Sequence, residues 1–338
     1  MASIKDIARE AKVSPSTVSL VLNGRAEEIR ISPSTKQKVL DTAKKLDYYP
    51  NLAGRKLRED NSYRVPIIVL FWSSNTTGVM ADRLLNGIKH YKDTYNKEFQ
   101  LMIQPYSTDE LNKHEQVLKS TSMFNGALIT GCSTKDIDFL NGLNVKMPII
   151  ITGRSSEKYN SCSVNEYQAG YNVAKLFKDR GHKNIGVVAQ NIVFQKYGSR
   201  TSGFLDGCRE YGLEVKKENQ IVCHYSIEES GEAIRKVIER GRLPSAIFFE
   251  VEMLAIGALP IFHEYKLRIP EDLEIVTFGD AKIASYTIPS LTTIRTPLEE
   301  MVSDSVGILI DDIENRLTQP VNRIYETTLV MRQSCGSS

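Results

Sequence analysis

Side chains able to do covalent chemistry are present in this 338-residue chain but nowhere stand at a working spacing. The five histidines (His90, His114, His182, His224 and His263) are isolated, without a His-x3-His pair or flanking cysteines, so they offer no zinc-type ligand set. The five cysteines (Cys132, Cys162, Cys208, Cys223 and Cys335) are odd in number and never spaced Cys-x-x-Cys. That argues against a secreted disulfide scaffold and against a thiolate metal site. There is no Gly-x4-Gly-Lys-Ser/Thr loop, Gly-x-Gly-x-x-Gly turn or Gly-x-Ser-x-Gly elbow. Acidic pairs such as Asp311-Asp312 read as solvated helix faces. The sequence asks for no cofactor and no metal, and catalysis is not expected.

What remains is recognition chemistry. Residues 1–64 carry thirteen Lys+Arg against eight Asp+Glu, a balance of +5, and the remainder carries thirty against thirty-three, a balance of −3. A short basic head on a mildly acidic body suits a polyanionic partner for the head. On charge alone a solvated basic face explains the excess equally well. Hydrophobic residues at 41% and charged ones at 25% are ordinary globular usage, and the length implies two or three domains. No run of about 18 apolar residues occurs and the N-terminus lacks a signal-peptide segment, so a soluble, cytoplasmic protein without a membrane partner is expected.

The head must position any such contact, and its pattern is helical. Ile4, Ile7, Ala8 and Ala11 recur at helical spacing up to a break at Ala11-Lys12. Ser14-Pro15 then starts a second helix, with Ser14 as cap and Pro15 where a missing N–H costs nothing. Val18, Val21 and Leu22 form its inner stripe, and Asn23-Gly24 stops it. The signal repeats at Ser32-Pro33, followed by Val39, Leu40, Ala43 and Leu46 on one face. Three short helices with a tight first turn form a helix-turn-helix unit over residues 1–50. Pro15, Ser16, Thr17 and Leu20 are left facing outward on the second helix. Pro50 closes the unit, and residues 51–64 read as a short helical segment followed by a polar linker.

From Val65 onward apolar strands alternate with amphipathic helices. Strands are expected at 65–71, 99–103, 127–130, 148–152, 185–189, 220–223, 246–249 and 274–278, with a last one at 323–330. Helices are expected at 81–95, 110–119, 167–178, 202–211, 229–239, 253–265 and 298–317. Repeated βα units imply parallel sheets covered on both faces, and their spread fits two doubly wound halves. A single (β/α)8 barrel is the rival, disfavoured by the long helix and extra strand at the end. The fold class is an all-α helix-turn-helix head plus an α/β body of two doubly wound parallel-sheet lobes.

These residues carry a resemblance. Ile4-Lys-Asp-Ile-Ala-Arg-Glu-Ala-Lys-Val-Ser14 and Ser16-Thr-Val-Ser-Leu-Val-Leu-Asn23 resemble the DNA-binding head of the LacI/GalR repressor family. Leu46-Asp-Tyr-Tyr-Pro-Asn51 and Ala53-Gly-Arg-Lys-Leu57 resemble its hinge. Arg180-Gly-His-Lys-Asn-Ile-Gly186, Arg200-Thr-Ser-Gly-Phe204, Ala255-Ile-Gly257 and Pro289-Ser-Leu-Thr-Thr-Ile294 are similar to its periplasmic-binding-protein-like regulatory domain. The resemblance implies a homodimeric repressor that binds a pseudo-palindromic operator in double-stranded DNA. It implies base reading by Pro15, Ser16, Thr17 and Leu20 in the major groove, where Leu20 stands in place of a more usual long polar side chain. It implies phosphate contacts from Ser14, Asn23, Thr35, Lys36 and Tyr48. In the minor groove it implies a hinge helix of Gly54, Arg55, Leu57 and Arg58, with Leu57 as an apolar wedge. Gly54 replaces a usual alanine, which should cost about 1 kcal/mol of helix.

The same resemblance implies a small effector (a sugar, phosphosugar or small anion) bound between two lobes. Lobe one would hold 65–162 and 293–322, and lobe two 163–292 and 323–338. Candidate contacts sit after the strands: Thr77 and Met80; Phe194, Lys196 and Arg200; Tyr225 and Ser226; Val251 and Glu252; Gly279 and Asp280. Arg200 would grip hydroxyls or a carboxylate. Two sites depart from the family. Its common Asn-Asp pair is Val251-Glu252 here, and its usual Phe-Asp is Phe278-Gly279, with Asp280 one residue late. These changes point to an unusual, anionic ligand beside Lys196 and Arg200, or to drifted specificity. No leucine heptad follows the last strand, so a dimer is expected and not a tetramer. A small-ligand-binding protein without a DNA role is the runner-up, and it leaves the head unexplained.

Overall fold

The computed structural model describes residues 4–22, 31–46, 65–74, 78–120, 123–190, 199–224, 226–241 and 243–336. The chain divides into two compact units, one of Met1–Val65 with Ser120–Asn125 and one of Pro66–Lys119 with Gly126–Ser338.

In the head, α1 (Ile4–Ala11), α2 (Pro15–Leu22) and α3 (Pro33–Lys45) fold around Ile7, Ala8, Ala11, Val18, Val21, Val39 and Ala43. Each fully buried valine or isoleucine side chain there contributes about 1.5–3 kcal/mol of transfer free energy. The turn from α1 to α2 uses Lys12 at φ +54° and a bond from the Val13 N–H to the Ala8 carbonyl (3.0 Å). Ser14 caps α2 by accepting the Thr17 N–H (3.0 Å), and Ser32 caps α3 by accepting the Thr35 N–H (3.2 Å). Both start signals lie where the sequence put them. One expectation fails: Leu40, placed on the inner face of α3, is exposed. Val39 and Ala43 suffice to fill the small core.

The body contains two six-stranded sheets. Its elements in order are β1 (Ile67–Ser73), α4 (Gly78–Tyr95), β2 (Gln100–Tyr106), α5 (Glu115–Lys119), β3 (Gly126–Thr130), α6 (Thr134–Gly142), β4 (Ile149–Thr152) and β5 (Asn160–Val164). Then come α7 (Glu166–Asp179), β6 (Ile185–Gln190), α8 (Arg200–Tyr211), β7 (Gln220–Cys223), α9 (Ile227–Glu239), β8 (Ala246–Phe249), α10 (Glu252–Glu264) and β9 (Glu274–Phe278). β10 (Thr292–Arg295), α11 (Leu298–Ile313), β11 (Asn322–Tyr325) and β12 (Thr328–Val330) complete it. The first sheet runs β11-β5-β4-β3-β1-β2, all parallel. The second runs β12-β10-β9-β8-β6-β7, parallel except for β12. Two separate open sheets rule out the (β/α)8 barrel.

The lobe boundaries differ from expectation by a few residues. β5 and β11 extend the first sheet to Val164 and Tyr325, whereas β10 belongs to the second sheet. The single strand expected at 323–330 is two, β11 and β12, which pair in different sheets. The reason is compositional. Asn160-Ser-Cys-Ser-Val164 and Asn322-Arg-Ile-Tyr325 are polar strands with little apolar signal, held by tertiary context. Asn160 itself is buried and works as a clip: its amide accepts the Val321 N–H (2.8 Å) and donates to Asp312 (2.8 Å).

Two family-like motifs prove to be packing devices. Gly203 lies where α8 crosses α7 backbone to backbone; a β-carbon there would sit 2.0 Å from the Tyr167 carbonyl oxygen. Arg180, of the Arg-Gly-His run, clasps Glu274 at the start of β9 with two bonds (Nε 2.6 Å, Nη2 2.5 Å), and Cys335 donates to the same carboxylate (3.1 Å). Burial would raise the Glu274 pKa, but these partners, Arg180 foremost, hold it at about 2.

Candidate functional site

The head offers one face. Pro15 and Ser16 are exposed, Thr17 and Leu20 are half-buried, and Leu20 is not among the side chains packed on the core. Ser14 Oγ, besides capping, lies 2.8 Å from Thr17 Oγ1, and Thr35 Oγ1 lies 2.8 Å from Ser32 Oγ. The hydroxyls of Ser14, Thr17 and Thr35 thus cluster at two capped helix starts, an arrangement that presents backbone N–H groups and hydroxyls to an anion such as a phosphate. Lys36 sits one residue on, half-buried. Asn23, Tyr48, Gly54, Arg55, Leu57 and Arg58 lie outside the described residues.

In the body, the strand order reverses between β1 and β3 in the first sheet and between β6 and β8 in the second. Doubly wound sheets bind ligands just past the carboxyl ends of such strands. Arg200, Val251, Glu252, Gly279 and Asp280 all come to that end of the second sheet, and Met80, exposed, to that end of the first. Thr77, Phe194, Lys196 and Tyr225 lie outside the described residues. Ser226 is occupied as the cap of α9, accepting the Glu229 N–H (3.2 Å) and donating to Glu228 (2.7 Å).

Arg200 is a fixed cation. Its Nη2 donates to Glu166 (2.7 Å), its Nη1 to the Glu250 carbonyl (3.1 Å), and its guanidinium lies 3.5 Å from the centre of the Phe278 ring. Its Nε is buried and has no hydrogen-bond partner among the described residues. Burial alone would raise the Glu166 pKa; Arg200 and Arg154 more than offset that and hold it below the ordinary value. The Arg200 fork is therefore spent chiefly on the protein.

Asp280 is likewise committed, to Arg332 (2.7 Å), Arg295 (2.5 Å) and Thr293 (3.0 Å). Against its burial, these groups keep it ionised below the usual carboxylate range. Its place one residue late in the sequence sends it sideways to tie β9 to the chain beyond β12. Glu252 is the exception. It is buried at the first turn of α10, and among the described residues its Oε2 accepts only the Ala281 N–H, at 3.4 Å. Burial pushes its carboxyl up to about 7, with Ala281 and then Arg83 pulling it back. Val251, at the cap position of α10, offers no side-chain bond to the helix.

Three residues here were not read from the sequence. Glu166 follows the unrecognised strand β5, Glu250 follows β8, and Arg83 lies within the helix expected at 81–95. Arg83 in fact pairs with Glu299 through two bonds (2.7 and 2.6 Å) and donates to the Thr296 carbonyl (2.8 Å) where the chain crosses between the sheets.

The chain is similar to known proteins along its length. A model of bacterial regulatory proteins of the lacI family matches residues 3–51, and one of a periplasmic-binding-protein-like domain matches residues 174–335. It is 25% identical to the "Probable HTH-type transcriptional repressor ExuR" of Bacillus subtilis, over 99% of this chain and 98% of that one. It is 27% identical to the "Ribose operon repressor" of Haemophilus influenzae, over 100% and 99%. The structure of a LacI family transcription regulator from Clostridium acetobutylicum superposes with a TM-score of 0.74 at 26% identity, covering 79% of this chain and 99% of that one. Among the described residues no helix is long and apolar enough to cross a membrane.

Proposed function

This chain belongs to the lacI family of bacterial regulatory proteins, as a DNA-binding transcriptional repressor with an effector-binding domain, and on that premise we propose how its parts divide the work. Two heads of a homodimer lay α2 into successive major grooves of a pseudo-palindromic operator. Pro15, Ser16, Thr17 and Leu20 face the base edges, so that readout leans on hydroxyls and on contact with thymine methyl groups. Ser14, Asn23, Thr35, Lys36 and Tyr48 hold phosphates, and Leu57, between Arg55 and Arg58, wedges the minor groove. A sugar or related metabolite binds past the strand ends of the two sheets and shifts the dimer between two arrangements, which sets operator affinity. The name of the ribose operon repressor supports that effector class. The protein works in the cytoplasm and catalyses no reaction.

A second copy of the chain covers the edge strands β2 and β7. Supporting this, exposed large apolar side chains gather there and on neighbouring helices: Leu85, Met102 and Ile103 in the first lobe, Val222 and Ile227 in the second.

The observation that carries the DNA reading is the Ser14-capped helix whose Pro15, Ser16 and Leu20 lie off the head's core. Fluorescence anisotropy with a fragment of the gene's own promoter tests it. Full-length protein binds at low ionic strength, and Leu20→Ser weakens that binding by about 1–3 kcal/mol while sparing random DNA. No binding to any promoter fragment at low salt sinks the reading.

A further inference from the structure

The second sheet ends in two neighbouring carboxyls put to different uses. Asp280 spends both oxygens on Arg332, Arg295 and Thr293. Glu252 forms no ion pair among the described residues, and its one bond, from the Ala281 N–H, is long at 3.4 Å. The two nearby guanidinium groups have other partners: Arg83 is held by Glu299, and Arg200 by Glu166.

Glu252 reaches its place because residue 279 has no side chain. A methyl carbon on Gly279 would stand 2.1 Å from Glu252 Oε2 and 2.9 Å from its carboxyl carbon, and the backbone there has φ +98°, which favours glycine. The carboxyl from α10 thus fills the volume that any side chain on the loop after β9 would take. It does so at the strand ends, where doubly wound sheets bind ligands.

We infer that Glu252, admitted by Gly279, is the specificity-determining residue at these strand ends, selecting an effector that presents hydroxyl or ammonium donors over one that presents a carboxylate or phosphate. The inference rests on the effector-site reading above. A ligand donor completes the acceptor capacity that Ala281 leaves open. A ligand anion meets the ionised carboxyl as a like charge in a buried setting, which disfavours it whenever Glu252 is deprotonated. Two nitrogens of Arg200 are bound to Glu166 and to the Glu250 carbonyl, which leaves its Nε alone, without a partner among the described residues, to offset that cost. Of the effector classes that the sequence leaves open, this disfavours the phosphosugar and the small anion and favours a neutral or amine-bearing sugar.

The test uses two probes with the same ring and opposite charge, D-glucosamine and D-glucuronate. Affinities are measured by calorimetry at pH 7 on the full chain and on Glu252→Gln and Glu252→Asp. The unaltered chain prefers glucosamine. Glu252→Gln moves the affinity ratio toward glucuronate by at least about tenfold, and Glu252→Asp, which keeps the charge, retains the original order. Tighter binding of glucuronate by the unaltered chain, or a ratio that Glu252→Gln leaves unmoved, overturns the assignment. Operator binding by the same samples reports on the regulator reading separately: if it persists while the ratio stays unmoved, only the role of Glu252 falls.

Discussion

Two glutamates are buried at opposite ends of the second sheet, and their surroundings have opposite effects. Glu274, at the start of β9, meets a guanidinium fork and a thiol, and its pKa falls to about 2. Glu252, just past the end of β8, meets one distant N–H and rises to about 7. Burial opposes ionisation in both, so the partner decides the outcome. A carboxylate given a fork is part of the scaffold. One left without its own cation costs folding free energy and fits the effector contact we infer for it.

The strongest way to break this contrast is Arg180→Ala. It leaves Glu274 buried without its cation and should lower unfolding free energy by about 3 kcal/mol at pH 7, read by denaturant titration. The sign with pH follows from the depressed pKa. The stability that Glu274 contributes is present above its unfolded value of 4.5 and is lost as pH falls toward 2, so Glu274→Gln flattens the acid limb. A loss in Arg180→Ala no larger than that of a surface arginine would refute the scaffold role.

Glu252→Gln is smaller and opposite in sign. The folded state holds the Glu252 proton more tightly than the unfolded one, so the chain loses stability as pH rises from 4.5 to about 7. The groups acting on it are Ala281, Arg83, Asp280 and Arg200. The variant should therefore be more stable than its parent by about 2 kcal/mol at pH 8, and indistinguishable from it near pH 4. Melting curves at the two pH values decide, and a variant less stable at pH 8 contradicts the account.

The finest test is a double-mutant cycle. Gly279→Ala forces a methyl group into the Glu252 carboxyl and into a left-handed backbone, costing about 2 kcal/mol. In a Glu252→Ala background the collision goes and the backbone cost stays, so the cycle should return about 1 kcal/mol of coupling. Additive effects would mean that the two residues do not share space.

Much of this architecture was legible in the sequence, and the failures share a cause. The capped starts at Ser14 and Ser32 are local signals, and the apolar strands β1, β3, β4, β8 and β9 show their burial in composition. β5 hides because its residues are polar, β11 reads as one strand with β12, and the clip made by Asn160 and the sheet already in place hold them. Past the strand ends, the sequence singled out Arg200 among Arg200, Glu252 and Asp280, without the partners of any of them in view. Whether a charged group serves the ligand or the scaffold depends on partners such as Glu166, Arg295 and Arg332, which lie 15 to 52 residues away.

The interleaving of the two sheets bears on how the chain is made. The first sheet takes its edge from β11, after the chain has already supplied β10 to the second. The second is closed by β12 and by Ser334, whose hydroxyl donates to the Ile275 carbonyl and accepts the Thr292 N–H. A ribosome that has reached Ser290 therefore carries a finished head and two half-built lobes, one without α11 over Ile88 and Leu128 and the other without its outer strands. Such a nascent chain shows apolar faces to solvent until synthesis passes Ser334, and these lobes close only at the end of the chain's making.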